Sequence, residues 1–238
     1  MDTEILECIG KGTLASVYKA YVPSLDKIFA VKKLDSTDPE NISAFDNEFK
    51  LMKSLSHQNL IQVYSYNEIK LEYIMDYMDY TIYEYMESHA LTNEERIALI
   101  NQLLDGMEYL HNHKILHRDL SLGNIMIKKI NEDEYILKIT DFGLAKTKGQ
   151  LRVTGTKTER RLESSYEDPA SNYKYYTEQG DIYGIGCLIN YIYYGTTTIQ
   201  TRDDYISRII TKCMITNLNE RYKNVSEVRE DLNKGETL

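Results

Sequence analysis

Apolar positions set the first expectations. Residues 5–9, 17–21 and 28–32 are β-branched, aromatic and aliphatic runs of strand length, and 62–66 and 71–75 repeat the signal. Between them Phe45, Phe49, Met52 and Leu55 recur at three- and four-residue intervals, which predicts a helix over 43–55 whose stripe is core packing. Thr92-Asn93-Glu94-Glu95 carries a capping-box signature, and Ile97, Ile100, Leu103, Leu104, Met107 and Leu110 extend it as an amphipathic helix. The apolar run 182–194 is too short for a membrane span and contains Asn190, so it predicts a buried helix. Further helices are expected over 203–214 and 226–232.

Two polar clusters interrupt this pattern. In Ile115-Leu116-His117-Arg118-Asp119-Leu120-Ser121-Leu122-Gly123-Asn124-Ile125-Met126-Ile127 an acid and an amide five residues apart lie between hydrophobic anchors. Seventeen residues past Asn124, Asp141 ends a strand-like run and is followed by Phe142 and Gly143. Singly, a loop Asp or Asn is a cap or turn residue making local hydrogen bonds. Jointly, they suit phosphoryl transfer, in which a base orients a hydroxyl while an amide and a carboxylate hold the magnesium that neutralises triphosphate charge. Upstream, Gly10-Lys11-Gly12-Thr13-Leu14-Ala15 is a glycine-rich turn able to approach phosphates. It also satisfies the dinucleotide pattern G-x-G-x-x-A, but that pattern needs a helix next, whereas Val17-Tyr18-Lys19-Ala20-Tyr21 predicts a strand.

His117-Arg118-Asp119-Leu120 with Asn124, followed by Asp141-Phe142-Gly143, resembles the protein kinase family in order and spacing. Ala30-Val31-Lys32 is similar to that family's V-A-I-K, and 48–61 is similar to its helix and exit turn. The resemblance covers nearly the whole chain. It implies an α+β, two-lobed protein-kinase-like fold over 1–238, with a small β-rich N-lobe (about 1–76), a hinge (about 76–79) and a mainly helical C-lobe (about 80–238). The C-terminal region is shortened, since only one substantial helix fits between Gly195 and Arg221.

The resemblance also implies roles for individual residues. Lys32, rather than Lys33, would anchor the α- and β-phosphates of ATP, held by Glu48, with Asp46 as the competing acid. Gly10, Lys11 and Gly12 would cover the phosphates. Val17, Ala30, Met75, Asp76, Met78 and Met126 would surround the base, with Met75 as gatekeeper and backbone groups of Asp76 and Met78 on its edge. Asp119 would act as base, and Asn124 and Asp141 would bind Mg2+. His117 and Phe142 would be packing groups that position the acids, and Asp181 would accept backbone hydrogen bonds from the catalytic loop. Cofactors are then ATP and Mg2+, and the substrate is a protein serine or threonine, the chain itself included.

Residues 144–161 are basic and threonine-rich, so Thr154, Thr156 and Thr158 are candidate phosphosites with Arg118 as their partner; a simple solvated loop is the alternative. Two departures stand out. Ser121 occupies the place where serine/threonine kinases usually carry a lysine. Tyr166-Glu167-Asp168-Pro169-Ala170 keeps the proline of the A-P-E motif but not its glutamate, although Arg221 matches that glutamate's usual partner. A nucleotide-binding pseudokinase and a small-molecule phosphotransferase therefore remain as alternatives. The trimmed region, which usually docks substrates, leaves room for a docking or regulatory protein.

Composition narrows the class. The chain has 238 residues, 42% hydrophobic, enough for one large domain or two small lobes. A net charge of −9 argues against a nucleic-acid partner. Met1-Asp2-Thr3-Glu4 lacks signal-peptide character, and Cys8, Cys187 and Cys213 are odd in number among apolar neighbours, so buried thiols, a cytoplasmic location and no membrane association are expected. Twenty-one tyrosines do not decide between hydroxyl types.

Overall fold

The computed structural model describes residues 2–132, 134–143, 146–147 and 176–236. The early strands form one antiparallel sheet from β1 (Glu4–Lys11), β2 (Ala15–Val22), β3 (Lys27–Leu34), β4 (Val63–Asn67) and β5 (Glu72–Asp76), in the spatial order β1-β2-β3-β5-β4. One face buries Ala20, Val22, Phe29, Val31 and Ile74 as a small cluster of its own. The other carries Ala30, Tyr73 and Met75 into the main core, as the two-residue strand period requires.

Helix α1 (Pro39–Lys53) crosses beside that second face. It starts four residues before the expected position 43 because Asp38 caps it, accepting from the Glu40 N–H at 2.8 Å and the Asn41 N–H at 3.4 Å, with Pro39 in the first turn. β4 and β5 each end one residue later than the apolar runs suggest.

The remainder is mainly helical. β6 (Tyr80–Thr81), α2 (Ile82–Ser88), α3 (Asn93–Asn112), β7 (Ile115–Leu116), β8 (Ile125–Lys129), β9 (Tyr135–Ile139), β10 (Lys146–Thr147), α4 (Glu178–Tyr194), α5 (Tyr205–Met214) and α6 (Val225–Glu236) follow in order. α2 was not expected from the apolar spacing, yet Thr81 and Glu84 form a reciprocal capping box there, as Thr92 and Glu95 do at α3. α4 contains the apolar run, buried along most of its length. Among the described residues no helix is long and apolar enough to cross a membrane. Only α5 lies between Gly195 and Arg221, and α6 runs beyond the expected 226–232 at both ends.

The two lobes are stitched together behind the site. The loop after α1 is tied to β9 by the Ile61 N–H to the Ile139 carbonyl (3.0 Å), the Ile139 N–H to the Asn59 carbonyl (2.8 Å) and Asn59 Nδ2 to the Leu137 carbonyl (2.9 Å). Asp79 docks on β8, its N–H reaching the Ile127 carbonyl at 3.0 Å and its carboxylate accepting from the Lys129 N–H at 2.7 Å. This is the two-lobed α+β arrangement that the motifs imply. One expectation fails: Cys187 and Cys213 are buried, but Cys8 is exposed, because β1 is an edge strand with little packed on either side.

Candidate active site

Sheet register gathers the first set of residues. Val17 lies opposite Lys32, Lys32 opposite Tyr73, and Ala30 opposite Met75. Directly paired residues share a face, and so do residues two apart, so Val17, Ala30, Lys32, Tyr73 and Met75 form one surface. Gly10 lies opposite Val17, and Gly12 closes the turn with its N–H on the Ala15 carbonyl at 2.7 Å. A strand follows that turn, as the β-branched sequence predicts and a dinucleotide-binding turn would not. Beyond β5, Met78 is buried, and among the described residues its backbone N–H and C=O have no protein partner. Met126, half-buried on β8, lies opposite Thr81 just past the hinge.

Glu48 points from α1 into this surface. Its Oε1 accepts from Lys32 Nζ at 2.7 Å, and the two side chains are 6% and 15% exposed, against 46% for Asp141, whose Oδ1 lies 3.5 Å from the same ammonium. The competing Asp46 is held at 2.5 Å by Lys50 one helical turn away, on the solvent side.

A hairpin gathers the second set. β8 and β9 pair with Ile125 opposite Ile139, and the Thr140 N–H donates to the Asn124 carbonyl at 3.0 Å. The sixteen intervening residues thus fold back, and Asn124 and Asp141 meet at one end. Asn124 Nδ2 donates to the Asp119 carbonyl at 2.7 Å and lies 3.3 Å from its Oδ2, which ties the base candidate to the amide. Arg118 (φ 68°) and Asp141 (φ 62°) both have left-handed backbone, a strained conformation for non-glycine residues that surrounding contacts must hold.

Asp181 provides most of those contacts. Asp181, fully buried in the first turn of α4, accepts from the His117 and Arg118 N–H groups, both at 2.9 Å, and from His111 Nε2 and the Tyr176 hydroxyl, both at 2.9 Å. Gly184 lets α4 approach the loop closely, since a Cβ there would lie 2.9 Å from Leu120 Cβ. His117 Nε2 reaches the Thr140 carbonyl at 3.1 Å, and its ring lies 5.3 Å from that of Phe142, which is buried. Both therefore link the two polar loops.

The charges are mutually dependent. Burial alone would lower the pKa of the Lys32 ammonium, but Asp141 and Glu48 overcome this and raise it well above its ordinary value. Lys32 holds the Asp141 carboxyl below its ordinary value against burial, whereas burial pushes Glu48 up despite Lys32. The result is an ammonium held between two acids. Hard oxygen donors from Asp141 and from the Asn124 amide carbonyl suit a magnesium ion, because Nδ2 is already committed to Asp119.

Comparison with known proteins agrees with this geometry. A sequence model described as "Protein kinase domain" matches residues 3–234. The chain belongs to the protein kinase family. It is also similar to a probable serine/threonine-protein kinase PknB of Lactococcus lactis subsp. lactis (strain IL1403), 31% identical over 193 residues, which are 78% of this chain and 30% of that protein. The chain therefore spans about a third of the length of that curated relative. The kinase family's two-lobed fold is the one found here.

Placement of the candidates is uneven. Lys32, Glu48, Asp119, Asn124 and Asp141 converge, as do the sheet residues facing them. Thr154, Thr156, Thr158 and the segment 166–170 lie outside the described residues. Arg221 is buried, donating to the Ile215 and Gln179 carbonyls at 2.9 and 2.8 Å. Sequence reasoning missed His111 on Asp181 and Tyr73 on Glu48; neither has a local pattern, and only register and helix packing place them.

Proposed function

We propose that this kinase-family chain transfers the γ-phosphate of MgATP to a serine or threonine hydroxyl of a protein. The observation that supports the reading most is the convergence of Lys32, Glu48, Asp119, Asn124 and Asp141 from four segments: β3, α1, the loop between β7 and β8, and the residues after β9. In this reading Lys32 anchors the α- and β-phosphates and Glu48 keeps its ammonium in place. Asn124 and Asp141 would hold Mg2+, which supplies neutralisation of the triphosphate charge. Asp119 orients and accepts the proton of the substrate hydroxyl. Gly10, Lys11 and Gly12 cover the phosphates; Val17, Ala30, Met75 and Met126 enclose the base, and the Asp76 and Met78 backbone groups read its edge. Residues 1–238 act as one domain, and its own threonines at 154, 156 and 158 are candidate targets. The serine/threonine preference leans on the similarity to the probable serine/threonine-protein kinase PknB.

Ser121 favours a second reading, a nucleotide-binding pseudokinase. It is 3% exposed and uncharged where a lysine usually neutralises the γ-phosphate. Losing one charge-assisted contact of about 1.5–3 kcal/mol slows transfer roughly ten- to a few-hundred-fold without abolishing it. Intact-mass spectrometry after incubation with MgATP and a peptide panel decides. Asp119→Ala should cost roughly 10²–10⁴-fold in kcat, and a smaller loss removes Asp119 as base. Clear ATP binding with no transferred phosphate leaves the pseudokinase.

A further inference from the structure

Glu48 takes a second hydrogen bond that the motif residues do not account for. The Tyr73 hydroxyl donates to Oε1 at 2.8 Å, the same oxygen that accepts from Lys32 Nζ at 2.7 Å. Among the described residues the only other acceptor near this hydroxyl is Met52 Sδ at 3.9 Å, a weak one. Burial pushes the Tyr73 phenol well above its ordinary pKa, so it stays a donor.

We propose that Tyr73 is a positioning residue of the site: its hydroxyl latches the Glu48 carboxylate, and with it α1, where Lys32 meets it. The inference deepens the kinase reading above and rests on it for the role of Lys32.

The argument starts from register. Tyr73 lies directly opposite Lys32 across β3 and β5, so the ring and the ammonium stem leave the sheet side by side. The ring is 1% exposed, stacks on Phe45 of α1 at 4.9 Å and lies 5.6 Å from Phe49 of the same helix. With two side-chain torsions and a ring packed against Phe45 and Phe49, its hydroxyl is fixed relative to both sheet and helix. Lys32, in contrast, is a flexible stem already shared between Glu48 and Asp141.

Sharing creates the need for a latch. A buried carboxylate has to keep its donors or the charge becomes costly, and any turn of Lys32 toward a phosphate or Asp141 weakens the cationic contact that Lys32 gives it. Tyr73 supplies a donor that does not travel with the lysine. Lys32 Nζ also lies 5.9 Å from the Tyr73 ring centroid, so the ring borders the path of the ammonium as well. Among the described residues, the charged and titratable groups facing Glu48 are Lys32 from β3, Tyr73 from β5 and Asp141 after β9.

The test is a double-mutant cycle read in MgATP affinity by calorimetry on wild type, Tyr73→Phe, Glu48→Gln and the double variant, with thermal melts to establish that each is folded at the assay temperature. Tyr73→Phe keeps the ring and its stacking and removes only the donor. It should weaken MgATP binding roughly three- to ten-fold, with a peptide KM that does not move. In the Glu48→Gln background the same change should alter affinity by less than about two-fold, since no carboxylate is left to hold. An equal loss in both backgrounds, or affinity unchanged by Tyr73→Phe alone, overturns the proposal. Phosphate transfer is scored separately: a wild type that binds MgATP and transfers nothing removes the kinase reading, while the four affinities still decide Tyr73.

Discussion

Asp181→Asn preserves shape and removes one acceptor oxygen and the charge. In the wild type, Oδ1 accepts from the Arg118 N–H and the Tyr176 hydroxyl, and Oδ2 from the His117 N–H and His111 Nε2. The tyrosine hydroxyl and the imidazole can reverse their roles; the two backbone N–H groups cannot. Whichever way the new amide turns, one backbone N–H faces an NH2 group. Loss of a hydrogen bond to a charged acceptor, at about 1.5–3 kcal/mol, adds to a buried unsatisfied donor at about 1–3 kcal/mol, so the cost is about 3–5 kcal/mol. For a chain of this size that lowers Tm by roughly 10 °C.

The local readout is sharper than the melt. Hydrogen exchange at whichever of the His117 and Arg118 amides faces the new NH2 group should accelerate roughly 100-fold, because the acceptor that closes it has been lost, while the other amide keeps its oxygen. The pH dependence has a definite sign. Burial opposes ionisation of Asp181, but hydrogen bonds and charge from His111, with the loop N–H groups, hold its carboxyl below the ordinary value of 3.8. A depressed carboxyl contributes stability above its unfolded pKa and loses it as pH falls through the folded pKa. The Tm gap between wild type and variant should therefore hold from about pH 8 to about pH 5 and close below about pH 4. A Tm drop under about 2 °C, or a gap that widens in acid, would refute this account of the loop.

Two further substitutions probe how the site is carried. Gly184→Ala puts a methyl 2.9 Å from Leu120 Cβ, an atom fixed by the catalytic-loop backbone, so either α4 or the loop must shift. About 1–3 kcal/mol of destabilisation and a fall in kcat larger than any change in KM for ATP are expected, and unchanged kcat would show that the loop tolerates the shift. Asp38→Ala removes the cap of the helix that carries Glu48; it should cost about 0.5–2 kcal/mol, measured by denaturant midpoint, with little effect if Pro39 alone holds the start.

Much of the fold was legible because it is local. Runs of β-branched, aromatic and aliphatic residues marked the five strands, and the capping box at Thr92 marked α3 within a residue of its start. α2 carried the same box at Thr81 but only seven residues, too few for helical spacing to register. The start of α1 was set by Asp38 and Pro39, outside the stripe used to find it. Cys8 was misplaced because apolar neighbours imply burial only when something covers them, and an edge strand has a partner on one side only.

The sequence by itself determined which chemistry the chain can hold. Asp119, Asn124 and Asp141 are separated by short, fixed intervals, and a hairpin of that length returns its ends to one place whatever surrounds it. Only the tertiary structure decided what holds those groups. Lys32 meets Tyr73 through strand register, Glu48 meets both through the packing of α1, and Asp181 meets the catalytic loop through the close approach of α4 at Gly184. Such contacts join residues tens of positions apart, and no local period encodes them. They come from burial on shared faces, where a carboxylate removed from water must find whatever donors the packing provides.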